Sequence, residues 1–175
     1  MPKTSREQIT NDEKKIIREL QKNSKENIEK IAKKCGFSRQ KVWRVIKRLE
    51  KNKTIWGYST IVDNEKIDLT HYTMLVKRSI VPIDEKLRNQ ISEEQLDNYF
   101  PELNIILEDC LYVNGDYDWI ISFTAPGIKE MKKFCEKLLR KFSEHMGAYE
   151  VLETIGTIEK QGIKNPSIKE QVCLL

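Results

Sequence analysis

The sequence predicts an α+β protein in two parts, an N-terminal winged helix-turn-helix followed by a ferredoxin-like βαββαβ domain. Three observations lead there: the sign of the charge changes near residue 62, three closely spaced amphipathic helices precede that point, and strand and helix patterns alternate after it. The expected boundaries are residues 1–62 for the first domain, 63–70 for a polar linker, 71–160 for the second domain and 161–175 for a tail.

Residues 1–62 hold 17 Lys/Arg against 7 Asp/Glu, a net of +10, whereas residues 63–175 hold 14 against 20, a net of −6. The two halves sum to the overall +4. Such asymmetry points to a polyanion-binding front half and a back half with another task. A merely solvated Lys-rich surface would give the same count, so the helices must decide.

The first helix is expected from about Asp12 to Lys22, capped by Asn11 or Asp12, with Ile16, Ile17 and Leu20 inward. A second follows Ser24 over Lys25–Cys35 and stops at Gly36, where a left-handed conformation closes helices. Ser38 then caps a third helix over Arg39–Asn52, whose Val42, Val45, Ile46 and Leu49 recur at i, i+3, i+4 and i+7. Two helices joined by a short Gly-containing turn make a helix-turn-helix. Ser38, Arg39, Gln40, Lys41, Trp43, Arg44, Lys47 and Arg48 then fall on or beside the outward face of the third helix. A helix of that composition suits the major groove of double-stranded DNA, its first residues meeting base edges and its later basic ones phosphates. Trp43 suits a thymine-methyl contact or packing against a neighbour equally well. The β-rich run Thr54–Val62, with Gly57 at its pivot, reads as a wing hairpin.

In the second half Tyr72–Val81 reads as a strand, Ile83–Phe100 as one helix or two, and Ile105–Val113 and Trp119–Ala125 as a hairpin. Ser92-Glu93-Glu94-Gln95 fits a capping box inside the helical stretch. A helix over Ile128–Phe142 buries Met131, Cys135, Leu138, Leu139 and Phe142, and after a break ending at Gly147 a last strand runs over Tyr149–Ile158. The β-α-β-β-α-β order is the ferredoxin-like arrangement.

Cys35, Cys110, Cys135 and Cys173 are scattered, and His71 and His145 are the two histidines. No close Cys/His spacing of a metal site is present, so free thiols, no metal and no cofactor are expected. No apolar run approaches the roughly 20 residues that span a bilayer, and the start lacks a signal-like apolar core. A cytoplasmic protein without membrane contact is the expectation.

Several stretches, in this order, resemble the leucine-responsive/asparagine-responsive regulator (Lrp/AsnC) family of prokaryotes: Ile31–Ser38 leading to Leu49-Glu50, then Ile55-Trp56-Gly57-Tyr58, then Gly115-Asp116-Tyr117-Asp118, then the helix ending near Gly147-Ala148-Tyr149. The likeness covers roughly residues 8–160. It implies a transcriptional regulator that forms a homodimer through its sheet domains, often assembled further in that family into tetramers or octamers, and that reads a pseudo-palindromic site. It also implies an amino-acid effector near Gly115, Asp116 and Asp118, where a carboxylate takes an amino group and turn amides take a carboxylate. Asp and Gly favour such turns anyway, so a purely structural role competes. The chain departs from the family at Val45, where Arg is common, at Lys53, where Gly is common, and in a longer segment after the first strand.

Two other functions fit less well. Sirohaem decarboxylases share the architecture but carry a His-centred H-N-Y-x-R motif, and neither His71 nor His145 sits in one. No nucleophile-base constellation or phosphate loop is present, so an enzyme is not expected. An RNA-recognition role needs basic and aromatic central strands, which Trp119–Thr124 does not supply.

Overall fold

The helices and strands follow from where apolar side chains recur. In the computed structural model, which describes residues 10–93 and 100–168, the elements are α1 (Asn11–Lys22), α2 (Ile28–Cys35), α3 (Arg39–Lys51), β1 (Thr70–Arg78), α4 (Glu85–Glu93), β2 (Ile106–Tyr112), β3 (Trp119–Ala125), α5 (Ile128–Lys141), β4 (Met146–Glu153), β5 (Glu159–Lys160) and β6 (Ile163–Lys164). The described residues form two units. One comprises residues up to Ile61 together with Ile158 to Ile168, and the other comprises Val62–Thr157.

In the first unit Ile16, Leu20, Ile31, Ala32, Val42, Val45, Ile46 and Leu49 close one core, with Ile17, Ile28, Cys35, Phe37 and Ile55 packed against it. The periodicity of α3 is thus the predicted one. The start of α1 differs from expectation: Thr10, not Asn11 or Asp12, is the cap, and it makes a reciprocal capping box with Glu13. Helix α2 begins three residues later than expected, because the Asn27 side chain accepts from the Glu29 N–H and sets the first turn there. Gly36 closes α2 at φ 71°, and the Phe37 N–H then donates to the Ala32 carbonyl at 2.9 Å.

The expected wing over Thr54–Val62 is not a hairpin: residues 54–63 carry no strand. Gly57 is not in the left-handed region, so the chain runs on where a hairpin would turn back. A two-residue hairpin does occur at the other end of this unit. There β5 and β6 pair across Gln161 (φ 51°) and Gly162 (φ 78°), the two positive φ values of a type I′ turn. The last predicted strand therefore stops short of Ile158, and residues assigned to the tail contribute β6.

The second unit is a four-stranded sheet in the order β2-β3-β1-β4 with all neighbours antiparallel, the ferredoxin-like pattern. Strand alternation puts Tyr72, Met74, Val76, Ile121, Phe123 and Ala125 on one face, where they meet Met131, Phe134, Cys135 and Leu138 of α5. Phe123 and Phe134 touch with ring centroids 4.7 Å apart. Phe134 was not among the expected core residues, whereas Leu139 and Phe142 are only partly buried. Burial pushes the Cys135 thiol up to about 11, as suits an inert core cysteine. Gly147 lies within β4 instead of ending a break. A Cβ there would meet the Arg78 carbonyl oxygen at 3.3 Å, beside the irregularity at Lys77/Arg78 where β1 and β4 close up. In the longer segment after β1, Asp84 accepts from the Leu87 N–H at 2.8 Å and starts α4. The Ser92–Gln95 capping box extends beyond the described residues.

Lys53 follows α3 at φ 60°, a left-handed conformation that costs a non-Gly residue about 1–2 kcal/mol. Glycine would relieve that strain and give back roughly 0.4–1 kcal/mol through the freer unfolded chain. Lys53→Gly is therefore expected to stabilise the protein by roughly 0.5–1 kcal/mol, read as a higher urea midpoint with an unchanged m-value.

Candidate nucleic-acid interface

The outward side of α3 divides by helical spacing into two sets of polar residues. Gln40, Trp43, Arg44 and Lys47 recur at i, i+3, i+4 and i+7 and are exposed, Trp43 to 52%. Lys41 and Arg48, seven residues apart, turn toward α1. The predicted basic face therefore combines an outward stripe with two residues turned toward α1.

Arg48 donates to Glu13 Oε1 at 2.7 Å, and Glu13 is only 6% exposed. The other oxygen, Glu13 Oε2, accepts from the Thr10 N–H at 2.6 Å. Hydrogen bonding from the Thr10 backbone, with Arg48 adding its charge, holds the Glu13 carboxyl below its ordinary 4.5. One carboxylate thus both caps α1 and pins α3. Lys41 reaches Asp12 at 2.7 Å and lies 3.9 Å from the Phe37 ring centroid.

The stripe, and Arg39 beside its start, are attached within or near α3 only. Arg39 lies 3.9 Å from Glu29, with both side chains about 70% exposed, a pair that water screens heavily. Lys47 pairs with Glu50 at 2.9 Å, and the Tyr58 hydroxyl donates to the same carboxylate at 3.0 Å. Arg44 has no ion-pair or hydrogen-bond partner among the described residues. Val45, where the resembled family commonly has Arg, is buried, so that position presents no cation here. Ser38 is exposed, but its hydroxyl accepts from the Lys41 N–H at 3.2 Å as the helix cap. The partners Asp12, Glu13, Glu50 and Tyr58 were not foreseen. The spacing Thr10-x-x-Glu13 would have revealed the most important of them.

The candidate effector turn is also partly occupied. Asp118 Oδ2 accepts from the Arg78 N–H at 2.7 Å, and the Asp118 backbone bonds Val76 and Val113. Asp118 is therefore a structural part of the junction between β1 and β3. Gly115 and Asp116 are exposed, and a Cβ at Gly115 would meet nothing within 4 Å. Tyr117 bonds Glu150, which raises its phenol pKa, and Lys77 lies 5.2 Å from the Tyr117 ring. Turn and strand thus leave Asp116 as the accessible carboxylate of the motif.

A family described as winged helix-turn-helix DNA-binding matches residues 13–55, the span of α1 to α3. The leucine-responsive regulatory protein of Haemophilus influenzae is 28% identical over 125 residues, 68% of each chain. The fold resembles an AsnC family transcriptional regulator from Agrobacterium tumefaciens, with a TM-score of 0.64, 20% identity and coverage of 92% of this chain and 99% of that one. It also resembles a transcriptional regulator of Neisseria meningitidis solved with L-Met, with a TM-score of 0.65, 15% identity and coverage of 93% and 99%. No helix of the described residues is long and apolar enough to cross a membrane.

Because the folded pKa of Glu13 is depressed, its contribution is complete above its ordinary 4.5 and fades as pH falls through the lower folded value. Glu13→Gln is expected to lower the unfolding midpoint at pH 7 and to converge on the parent as pH falls through that lowered value. Thermal unfolding across that range checks it, and parallel curves would assign the acid sensitivity elsewhere.

Proposed function

We propose that this chain, an Lrp-like transcriptional regulator with a helix-turn-helix DNA-binding domain, is a cytoplasmic homodimer that reads a pseudo-palindromic double-stranded site and responds to an amino acid. The observation that carries the reading is the exposed stripe Arg39, Gln40, Trp43, Arg44 and Lys47 on a helix pinned to its neighbours from behind. Arg and Gln near the helix start supply bidentate donors for guanine and adenine edges, and Trp43 supplies an apolar surface for a thymine methyl. Lys47, a turn or two later, is placed for a phosphate, which must displace Glu50. Arg48, held by the buried Glu13, contributes rigidity, and Lys41 contributes positive potential.

The homodimer reading is supported by the sheet. On the face opposite the core set, strand register brings together Leu75, Ile120 and Leu111 across three strands, flanked by Ile106 and Leu152. Ile106, Leu111 and Leu152 are about half exposed, an apolar face suited to a second sheet. Tetramers or octamers would follow from further contacts of the same domain. The effector reading rests on the turn Gly115–Asp118, where Asp116 would take an ammonium group and the backbone a carboxylate. Asp116→Ala is then expected to abolish the amino-acid-dependent shift in DNA affinity while leaving DNA binding itself intact. Isothermal titration with the common amino acids, followed by that variant, checks it.

The main test is fluorescence anisotropy against fragments of the host genome at two salt concentrations. Tight binding to a few fragments that survives the higher salt is expected. Arg39→Ala should relax sequence preference, losing about 1–3 kcal/mol on the best site. Lys47→Ala should weaken all sequences alike and flatten the salt dependence by about one charge. Weak, uniform binding that salt removes would reduce the basic half to a generic polyanion surface.

A further inference from the structure

We propose that Lys15 and Lys41, gathered around the Phe37 ring, form a DNA backbone-phosphate site beside the reading stripe, and that Asp12 fills it until DNA displaces the carboxylate. The inference rests on the reading of α3 given above and extends the interface onto α1. Lys41 Nζ lies 3.9 Å and Lys15 Nζ 5.9 Å from the Phe37 centroid, so two cations from different helices converge on one side chain of the helix-turn-helix turn. Asp12 Oδ2 sits 2.7 Å from Lys41 Nζ. Both lysines act on that carboxylate: the Lys41 hydrogen bond, with the charges of Lys41 and Lys15, holds it below its ordinary value.

The two α1–α3 ion pairs differ in the way an exchange site requires. Glu13 is buried and occupied on both oxygens by Arg48 and Thr10, so removing it uncaps α1. Asp12 and Lys41 are 46% and 39% exposed, and Asp12 has no role in the cap. An ion pair so open to water is weakly held, and a phosphate with its two free oxygens can replace the carboxylate without disturbing the core. Lysine suits this task, since a compact ammonium on a flexible stem follows a backbone phosphate without reading a base. The position fits as well. Lys41 stands one residue along α3 from Gln40, so the site flanks the start of the reading stripe, where the strand passing the turn would run. Of the other charges on this side, Arg48 is held by Glu13, whereas Lys14 and Arg18 are exposed on α1 and add to the same positive field.

The sign of the effect separates this from a structural role. Removing a carboxylate that only braces the helices weakens or leaves unchanged the affinity for DNA. Removing one that competes with DNA strengthens it. Asp12→Asn in the full chain is expected to bind every fragment, preferred or scrambled, roughly 3–10-fold more tightly at low salt, with their ratio unchanged. Lys15→Ala is expected to make log Kobs against log[salt] shallower by about 0.9, one phosphate contact. Asp12→Ser, which keeps a first-turn hydrogen-bonding residue, guards against a folding effect, with melting temperature measured for each variant. If Asp12→Asn and Asp12→Ser bind no tighter than the parent at equal melting temperature, or Lys15→Ala keeps the parental slope, while Arg44→Ala loses affinity, this inference fails and the reading of α3 stands. A parent that binds no DNA overturns both.

Discussion

Glu13 is the residue through which the helical unit is organised. Its backbone N–H donates to the Thr10 hydroxyl oxygen, one carboxylate oxygen accepts from the Thr10 N–H, and the other accepts from Arg48 at the far end of α3. Without it α1 loses its cap and α3 loses the strut that sets its rotation. The burial of Val42, Val45, Ile46 and Leu49 alone fixes which face of α3 is inward. It leaves some freedom to slide and roll, as apolar contacts are not directional. The Arg48–Glu13 bond is directional and narrows that freedom for the outward residues Gln40, Trp43, Arg44 and Lys47. A reading helix needs that precision, because hydrogen bonds to base edges tolerate little misalignment.

The α/β unit solves a different problem. One sheet face is filled by α5 and an aromatic cluster of Tyr72, Phe123, Phe134 and Phe100, with Met131 and Leu138 in the same core. The end of the sheet where β1, β3 and β4 meet is stitched by polar contacts: Asp118 to the Arg78 N–H, Ser79 to the Glu144 carbonyl, and the Ser79 N–H to the His145 carbonyl. The Gly115–Asp118 turn grows out of that stitched end. Its geometry is consequently set by the sheet, and a ligand there would meet a preorganised turn.

Much of this was legible in residues. Period-3.6 patterns in α1 to α3 and α5, and the alternation in β1 and β3, are strong signals because burial imposes them, and they placed the reading helix and its outward residues. What the sequence concealed was choice among equivalent polar groups. Thr10, Asn11 and Asp12 are all acceptable caps, and only Glu13 three residues on favours Thr10. Lys41, Arg44, Lys47 and Arg48 look alike as cations, yet a partner on α1 sets Lys41 and Arg48 apart. Thr54–Val62 has strand composition but pairs with no strand among the described residues, and composition cannot reveal that. The short β5–β6 hairpin has two-residue strands, below what periodicity can detect, although Gln161-Gly162 is acceptable turn chemistry.

Because residues from Ile158 to Ile168 belong with those up to Ile61, the α/β unit is in effect an insertion within the helical one. Among the described residues, the chain enters it at Val62 and leaves it at Thr157. An excised N-terminal fragment would therefore be an incomplete body, missing the β5–β6 hairpin. Dissection of this protein into autonomous pieces calls for fusing the two flanking segments through a short linker, or for a circularly permuted design.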